Sequence, residues 1–287
     1  MWLKINMKKI FNIKLPLWLV LVLVIDAALL SGLGEYVWWK NQTPPDPTAK
    51  VVSIKLQVLP QKGYTTSLKW QDLAKKLVDA GAIDPEKFQF NPDSRDFIRI
   101  DEQNSRDIVN FLWALGLTQK SKVLDEGPMK NKETPLGNFA STGGWTLGKK
   151  EAVELYSSVE LFSLNDFQQS LVKKISDGVF RPCCGNATSF RDCNHGMAAL
   201  GYIEWAVYNG LSEEQIYKDL LAFNSFWFPQ NYLEMAMYFD KQGINWKKVD
   251  PKLALSRDYS SAMGAARIKQ EVQQVPGLQS PGGSCGV

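Results

Sequence analysis

Between Leu15 and Leu33 run nineteen residues, Leu-Pro-Leu-Trp-Leu-Val-Leu-Val-Leu-Val-Ile-Asp-Ala-Ala-Leu-Leu-Ser-Gly-Leu, in which Asp26 is the one charged side chain. At about 1.5 Å rise per residue a helix of this length crosses a hydrocarbon core of about 30 Å. Lipid offers the backbone no hydrogen-bond partner, so the stretch is committed to a helix. Lys4, Lys8, Lys9 and Lys14 precede it with no acid beside them, and Tyr36, Trp38 and Trp39 follow it. Positive charge stays in the cytoplasm and aromatic rings settle at the interface. This places a tail at 1–14 inside, a single-pass anchor with its aromatic border at 15–39, and everything later outside the cytoplasm. A basic start and an apolar core also fit a cleaved signal peptide, with a small-residue site around Ser31-Gly32, although no Ala-x-Ala follows and the run is long. Both readings export the rest of the chain. Asp26 within the span suggests a partner, because an ionisable group there is costly. As a lone acid nearer the outer end, it also reads as neutral or reaching the interface.

The remaining chain is long and apolar enough to bury a substantial core, with 45% hydrophobic and 11% aromatic residues over 287 positions. From Asn41 onward 28 basic and 28 acidic residues balance. A nucleic-acid binder needs a basic stripe against phosphates, and none is present. The partners expected are the membrane and a protein of the cell envelope.

After the anchor, a proline-rich linker at 40–50 gives way to a domain at 51–270. Val52, Ile54, Leu56 and Val58 alternate with polar residues and predict a short strand. Trp70, Leu73, Ala74, Leu77 and Val78 predict a helix closed by Gly81. Asp84-Pro85-Glu86 reads as the start of a second, completing a helical hairpin. Ile108, Phe111, Leu112 and Leu115 predict a helix ending near Gly116, with a short one between Thr118 and Glu126. Residues 127–148, rich in glycine and small polar residues, predict a long loop in which Phe139 and Trp145 pack on something. Gly143-Gly144 lacks both the preceding strand and the Gly-Lys ending of a phosphate loop. Helices are expected again over Glu151–Leu161, Ser163 to about Phe180, Gly196–Tyr208, Ser212 to about Phe226 behind a capping box, and Tyr232–Phe239. A short one follows Asp250-Pro251, and a flexible tail at 271–287 is rich in glycine and proline. The fold class is mainly α, with at most a short strand near the start of the domain.

The chemistry concentrates in the loop 181–196, Arg-Pro-Cys-Cys-Gly-Asn-Ala-Thr-Ser-Phe-Arg-Asp-Cys-Asn-His-Gly. Three of the four cysteines and the only histidine fall within thirteen residues. Asp192 or Asn194 is the expected N-cap of the following helix. Cys193 and His195 would then sit at the positive end of a helix dipole, which favours thiolate. Thiolate and imidazole together suit zinc, copper(I) or an iron–sulfur cluster, with Cys183, Cys184, Cys193 and His195 as ligands. The spacing, two adjacent cysteines, eight residues, then Cys-x-His, matches neither a zinc ribbon nor a haem attachment site. It supports a metal for handling, electron transfer or a structural role without naming a reaction.

A membrane-tethered thiol-disulfide protein is the alternative, with Cys193 paired to one of the adjacent cysteines. A third reading is a plain disulfide in an interaction protein, for which a histidine inside the cluster has no use. Cys285 adds a further ligand, a disulfide partner or nothing. Asn186-Ala187-Thr188 fits a glycosylation sequon, or Asn186 serves the turn or hydrogen-bonds behind the ligands. The aromatic run Phe223 to Phe228 reads as core packing or as a wall beside the metal. Glu204, nine residues beyond His195, reads as a surface or paired acid.

Overall fold

The computed structural model describes residues 16–41, 47–130 and 133–278. The basic tail, residues 42–46 of the linker and Cys285 lie outside the described residues. The chain divides into two units between Asp46 and Pro47.

The first unit contains helix α1 (Leu17–Asn41). Its stretch Leu17–Trp38 is long and apolar enough to cross a membrane, a test that a signal sequence near the N-terminus also passes. Its apolar side chains are exposed, Leu17 at 78% and Leu30 at 69%.

The second unit begins with helix α2 (Pro47–Val58), where the alternating pattern predicts a strand. Val51, Ile54 and Val58 are buried while Val52 and Leu56 are exposed. The spacing of three and four puts the buried set on one helical face, and this 3.6-residue period underlies the apparent alternation. The strands fall later. β1 (Tyr64–Lys69) pairs antiparallel with β2 (Phe97–Ile100), Tyr64 opposite Ile100 and Thr65 opposite Arg99. Between them lies α3 (Leu73–Asp79), after which Gly81 takes φ +76°, a conformation glycine adopts without steric penalty. The expected second helix of a hairpin at Asp84-Pro85-Glu86 is only a turn, closed by the Phe88 amide on Asp84 O at 2.9 Å.

α4 (Ser105–Thr118) and α9 (Asn194–Tyr208) form the middle of the core. From Gly196 to Val207 every residue of α9 is buried, which is why its sequence is apolar on all sides. The two helices approach through glycine. A methyl group on Gly116 would lie 2.1 Å from Met197 O, and one on Gly201 would lie 2.4 Å from Leu112 O. Ser105 and Arg106 share a cavity wall with Asn194 and His195, so the two helices run in the same direction with their N-termini together.

Around this pair pack α5 (Lys122–Asp125), α6 (Ala140–Gly143), α7 (Ala152–Leu155), α8 (Asp166–Gly178) and α10 (Glu213–Trp227). The helix expected over Glu151–Leu161 shrinks to the single turn of α7. Asn165 caps α8 in a reciprocal capping box with Gln168. Within the loop region 127–148, Phe139 meets Phe190 edge-on and Trp145 meets Trp113, both as aromatic anchors. α11 (Pro229–Lys241), α12 (Pro251–Ala254), α13 (Arg257–Ser260) and α14 (Ala262–Val272) complete the unit. Val272 and Leu278 are buried, so packed chain continues to Leu278.

Candidate metal centre

The loop between α8 and α9 is tied at many points before any ligand chemistry is considered. The Phe180 amide donates to Leu255 O (2.8 Å), Thr188 to Val179 O (2.8 Å), Ser189 to Ser176 O (3.0 Å) and Ser141 to Asp192 O (3.2 Å). Cys184 O accepts from the Ala262 amide at 3.0 Å. Five backbone hydrogen bonds to four stretches of chain therefore hold the loop, and its cysteines are presented by a rigid frame rather than a free segment.

Within that frame the three sulfurs converge. Cys183 Sγ lies 3.4 Å from Cys193 Sγ and 3.9 Å from Cys184 Sγ, and the third edge, Cys184 to Cys193, is 4.0 Å. All three are free thiols, none fully buried. The ligand atom of His195 lies within 4.8 Å of those of Cys183 and Cys193, and a carboxylate oxygen of Asp192 lies within the same limit of Cys184 and Cys193. All four residues expected from the sequence thus come to one place, and Asp192 joins them.

Cys193 is itself the N-cap of α9, its sulfur accepting from the Gly196 amide at 3.4 Å. This corrects the expectation of Asp192 or Asn194 in that position. Asn194 is instead the first helical residue, its Oδ1 accepting from the His195 amide. A sulfur cap leaves the thiol facing the helix dipole, where negative charge is favoured. Asp192 is released for another task, pairing with Arg181.

Arg181 was not legible as a site residue and organises the cluster. It is 1% exposed. Its Nε donates to Cys193 Sγ (3.0 Å), Nη1 to Asn186 O (3.1 Å), and Nη2 to Phe190 O (3.4 Å) and Asp192 Oδ1 (3.0 Å). Asn186 Nδ2 donates to the other Asp192 oxygen at 2.8 Å. The guanidinium lies so close to the start of α9 that a methyl group on Gly196 would fall 2.5 Å from Arg181 Cζ. Its charge and its fixed fork of donors suit a buried position beside thiolate.

These contacts sort the protons. Contacts with the Cys183 and Cys184 sulfurs, and with Arg181, hold Cys193 well below the usual thiol range despite burial. Cys183 is pushed up in return, by its contacts with Cys184 and Cys193 and by burial. Burial lowers the His195 imidazole to about 4, Cys193 opposing the shift, so the ring is neutral near pH 7. A thiolate beside a neutral imidazole is the ligand state a soft or borderline metal requires.

The aromatic run on α10 does both of the things expected of it. Phe223 stacks with Trp227 at 5.6 Å in the core, and the His195 ring lies 5.7 Å from Trp227 and 4.5 Å from Phe228. His195 also borders a cavity of about 110 Å³ with Arg106 and Asn110 on its wall. Glu204 takes no part in the cluster and is fully buried rather than at the surface, both of its oxygens without a hydrogen-bond partner.

Compared with protein-family models, curated proteins and solved structures, the chain matches none.

Proposed function

We propose that this is a membrane-anchored, extracytoplasmic metal-binding protein. Cys183, Cys184 and Cys193 supply sulfur and His195 supplies nitrogen to one ion, for metal handling, electron transfer or the bracing of an envelope assembly. The observation that carries the reading is the sulfur triangle, with edges of 3.4, 3.9 and 4.0 Å. Metal–sulfur bonds of about 2.3 Å in a tetrahedron span edges of about 3.8 Å. Sulfurs this close suit a single ion, zinc or copper(I), better than a cluster whose irons spread their cysteines apart. When bound, such an ion would supply Lewis acidity or, as copper, one-electron exchange. The lysines before α1 and the aromatic residues Tyr36, Trp38 and Trp39 at its far end support the orientation with the domain outside.

Arg181 and Asn186 serve the same site as second-layer partners. Arg181 offsets the negative charge that three thiolates bring, and Asn186 and Asp192 hold its guanidinium in place. Such outer contacts orient ligands and tune affinity.

A thiol-disulfide protein is the second reading, favoured by the 3.4 Å approach of Cys183 to Cys193. Loss of two protons and two electrons to an external oxidant would join those sulfurs and leave Cys184 as a thiol. Elemental analysis with free-thiol counting separates the readings, using the full chain purified anaerobically in detergent beside Cys193→Ala and His195→Ala. About one metal equivalent per chain, lost in both variants, is expected. No metal, together with two fewer free thiols than the four cysteines of the sequence, would move the assignment to the disulfide.

A further inference from the structure

The cavity beside His195 takes no part in holding an ion between the sulfurs. It measures about 110 Å³ and lies where the N-termini of α4 and α9 come together. Arg106, Asn110, Asn194 and His195 line it, and a serine, a valine and two aromatic side chains complete the wall with no acid among them. Among the described residues Arg106 forms no ion pair and no hydrogen bond, and the Asn110 amide forms none either. Asn194 is 8% exposed; its Oδ1 accepts from the His195 amide at 2.9 Å, and its Nδ2 has no partner among those residues. Protein encloses Asn194 elsewhere, so the cavity that it lines is where this free donor can be met.

The His195 ring is in the same position. Neither of its nitrogens has a hydrogen-bond partner among the described residues. A histidine that gives one nitrogen to a metal almost always donates the other N–H to a carboxylate, a carbonyl or water, which fixes the ring and makes it a stronger ligand. The protein offers this ring Trp227 and Phe228 as aromatic neighbours and no such acceptor. Charge then selects the guest. One guanidinium and two helix starts face the cavity, and Asn104, the N-cap of α4, gives the amides there no side-chain acceptor. A cation has no carboxylate to meet, and an apolar guest would satisfy none of the donors. A cavity of about 150 Å³ accepts a benzene ring, so this smaller one takes about four non-hydrogen atoms.

We propose that this cavity binds a small planar oxyanion of acetate or bicarbonate size, held by Arg106, Asn110 and Asn194, and that the anion accepts from the His195 N–H and so strengthens the metal site. His195 is the link, since it lines the cavity and its ligand atom lies within 4.8 Å of those of Cys183 and Cys193. Anion and metal would each raise the affinity of the chain for the other by the same factor, as linkage requires. The coupling rests on the metal reading above; the anion site does not.

The test takes the full chain in detergent, purified anaerobically, beside Arg106→Leu and Arg106→Lys. Arg106 is an exposed residue of α4, so neither substitution opens the core. Zinc affinity is measured by competition with a chromophoric chelator at constant ionic strength, without added anion and with saturating acetate or bicarbonate. Line broadening of isotope-labelled acetate reads the anion directly, in zinc-free and zinc-loaded chain. Either anion should tighten zinc by about tenfold, the scale of a lost or gained partner behind a ligand. Arg106→Leu should lose most of that gain and Arg106→Lys should keep part of it. A gain equal in Arg106→Leu and the parent chain would put the anion on the metal itself and overturn the cavity site. No broadening of acetate and no effect of bicarbonate in the parent chain would leave the cavity to water and overturn the proposal. Acetate bound with zinc affinity unchanged would overturn the coupling. A parent chain that binds no zinc would defeat the metal reading and the coupling with it, and acetate broadening in zinc-free chain, present in the parent and lost in Arg106→Leu, would still decide the anion site.

Discussion

Helices α1 and α9 are the two most apolar of the longer described helices, and each carries an acid among its apolar residues, Asp26 in one and Glu204 in the other. Their surroundings are opposite. α1 leaves Leu17, Trp18, Leu29 and Leu30 exposed, whereas α9 is buried from Gly196 to Val207. The difference lies in length and in where the small residues meet something. α1 has 25 residues and only two glycines, Gly32 and Gly34, neither with anything within 4 Å of where a side chain would begin. α9 has 15 residues and places Gly201 against α4, backbone to backbone. Apolarity alone does not choose between lipid and core. A run long enough to span with a smooth surface suits lipid, and a shorter one notched to admit a neighbour suits a protein interior.

The comparison breaks most sharply at the notch. Gly116→Ala combined with Gly201→Ala should destabilise the domain by about 4–6 kcal/mol, because each methyl group meets main chain that has no free rotamer to yield. Urea unfolding followed by circular dichroism measures it, and a loss under about 1 kcal/mol would mean that the two helices separate at little cost. On the other helix the sensitivity is to charge. Leu23→Lys near the middle of α1 should raise the cost of insertion by about 2.5–3.5 kcal/mol. Alkaline extraction of membranes should then release a larger fraction of the protein, and unchanged retention would remove α1 as the anchor.

The acid of α9 gives a smaller effect that depends on pH. Burial raises Glu204 from 4.5 to about 8, with Ser121 and Arg191 pulling the other way. Between those values the folded chain keeps a proton that the unfolded chain releases. Glu204 therefore contributes its full stability below about pH 4.5, loses it progressively as pH rises toward 8, and changes nothing above that. Ser121 and Arg191 temper the loss, and about 2–3 kcal/mol across the window is expected. Glu204→Gln should flatten that slope in denaturant titrations run at a series of pH values. A Glu204→Gln chain that keeps the parent's slope would show that the acid is ionised in the fold.

The reading of α9 shows what a sequence makes legible here. Its extent follows from an apolar run, interrupted only by Glu204, that ends at Asn209-Gly210, and the cluster at its start follows from residue density, since thiols and a lone histidine are rare enough for their crowding to be informative. The cap did not follow, because sulfur is a weak acceptor and the neighbouring Asp192 and Asn194 are the stronger candidates by chemistry. Arg181 did not follow either. An arginine eleven residues before an aspartate says nothing of an ion pair until the loop folds back on itself. β1 hid because its inward positions, Thr66 and Leu68, do not read as an apolar stripe, and β2 because four residues are too few for a period. The 52–58 stretch misled in the other direction. A helix with exposed valine and leucine on its outer face imitates alternation. Glu204 misled because charged residues in helices are overwhelmingly at surfaces, and an apolar run around one is evidence against that default only when the whole helix is buried.

The smallest effect expected is the one that most directly compares the two helices. Gly32→Ala and Gly34→Ala in α1 add the same methyl group that the α4–α9 contact cannot accept, at positions where nothing lies within 4 Å. Alanine has the better helix propensity, by about 0.8–1.0 kcal/mol per residue in water. In lipid the backbone bonds are already obligatory and the gain shrinks toward zero. Membrane retention and the unfolding midpoint of the domain should therefore both stay at parent values. A clear loss in either would show that Gly32 and Gly34 meet a partner helix in the bilayer, as small residues spaced along a span often do. α1 would then be a packed helix like α9, and the contrast between them would be one of partner rather than of solvent.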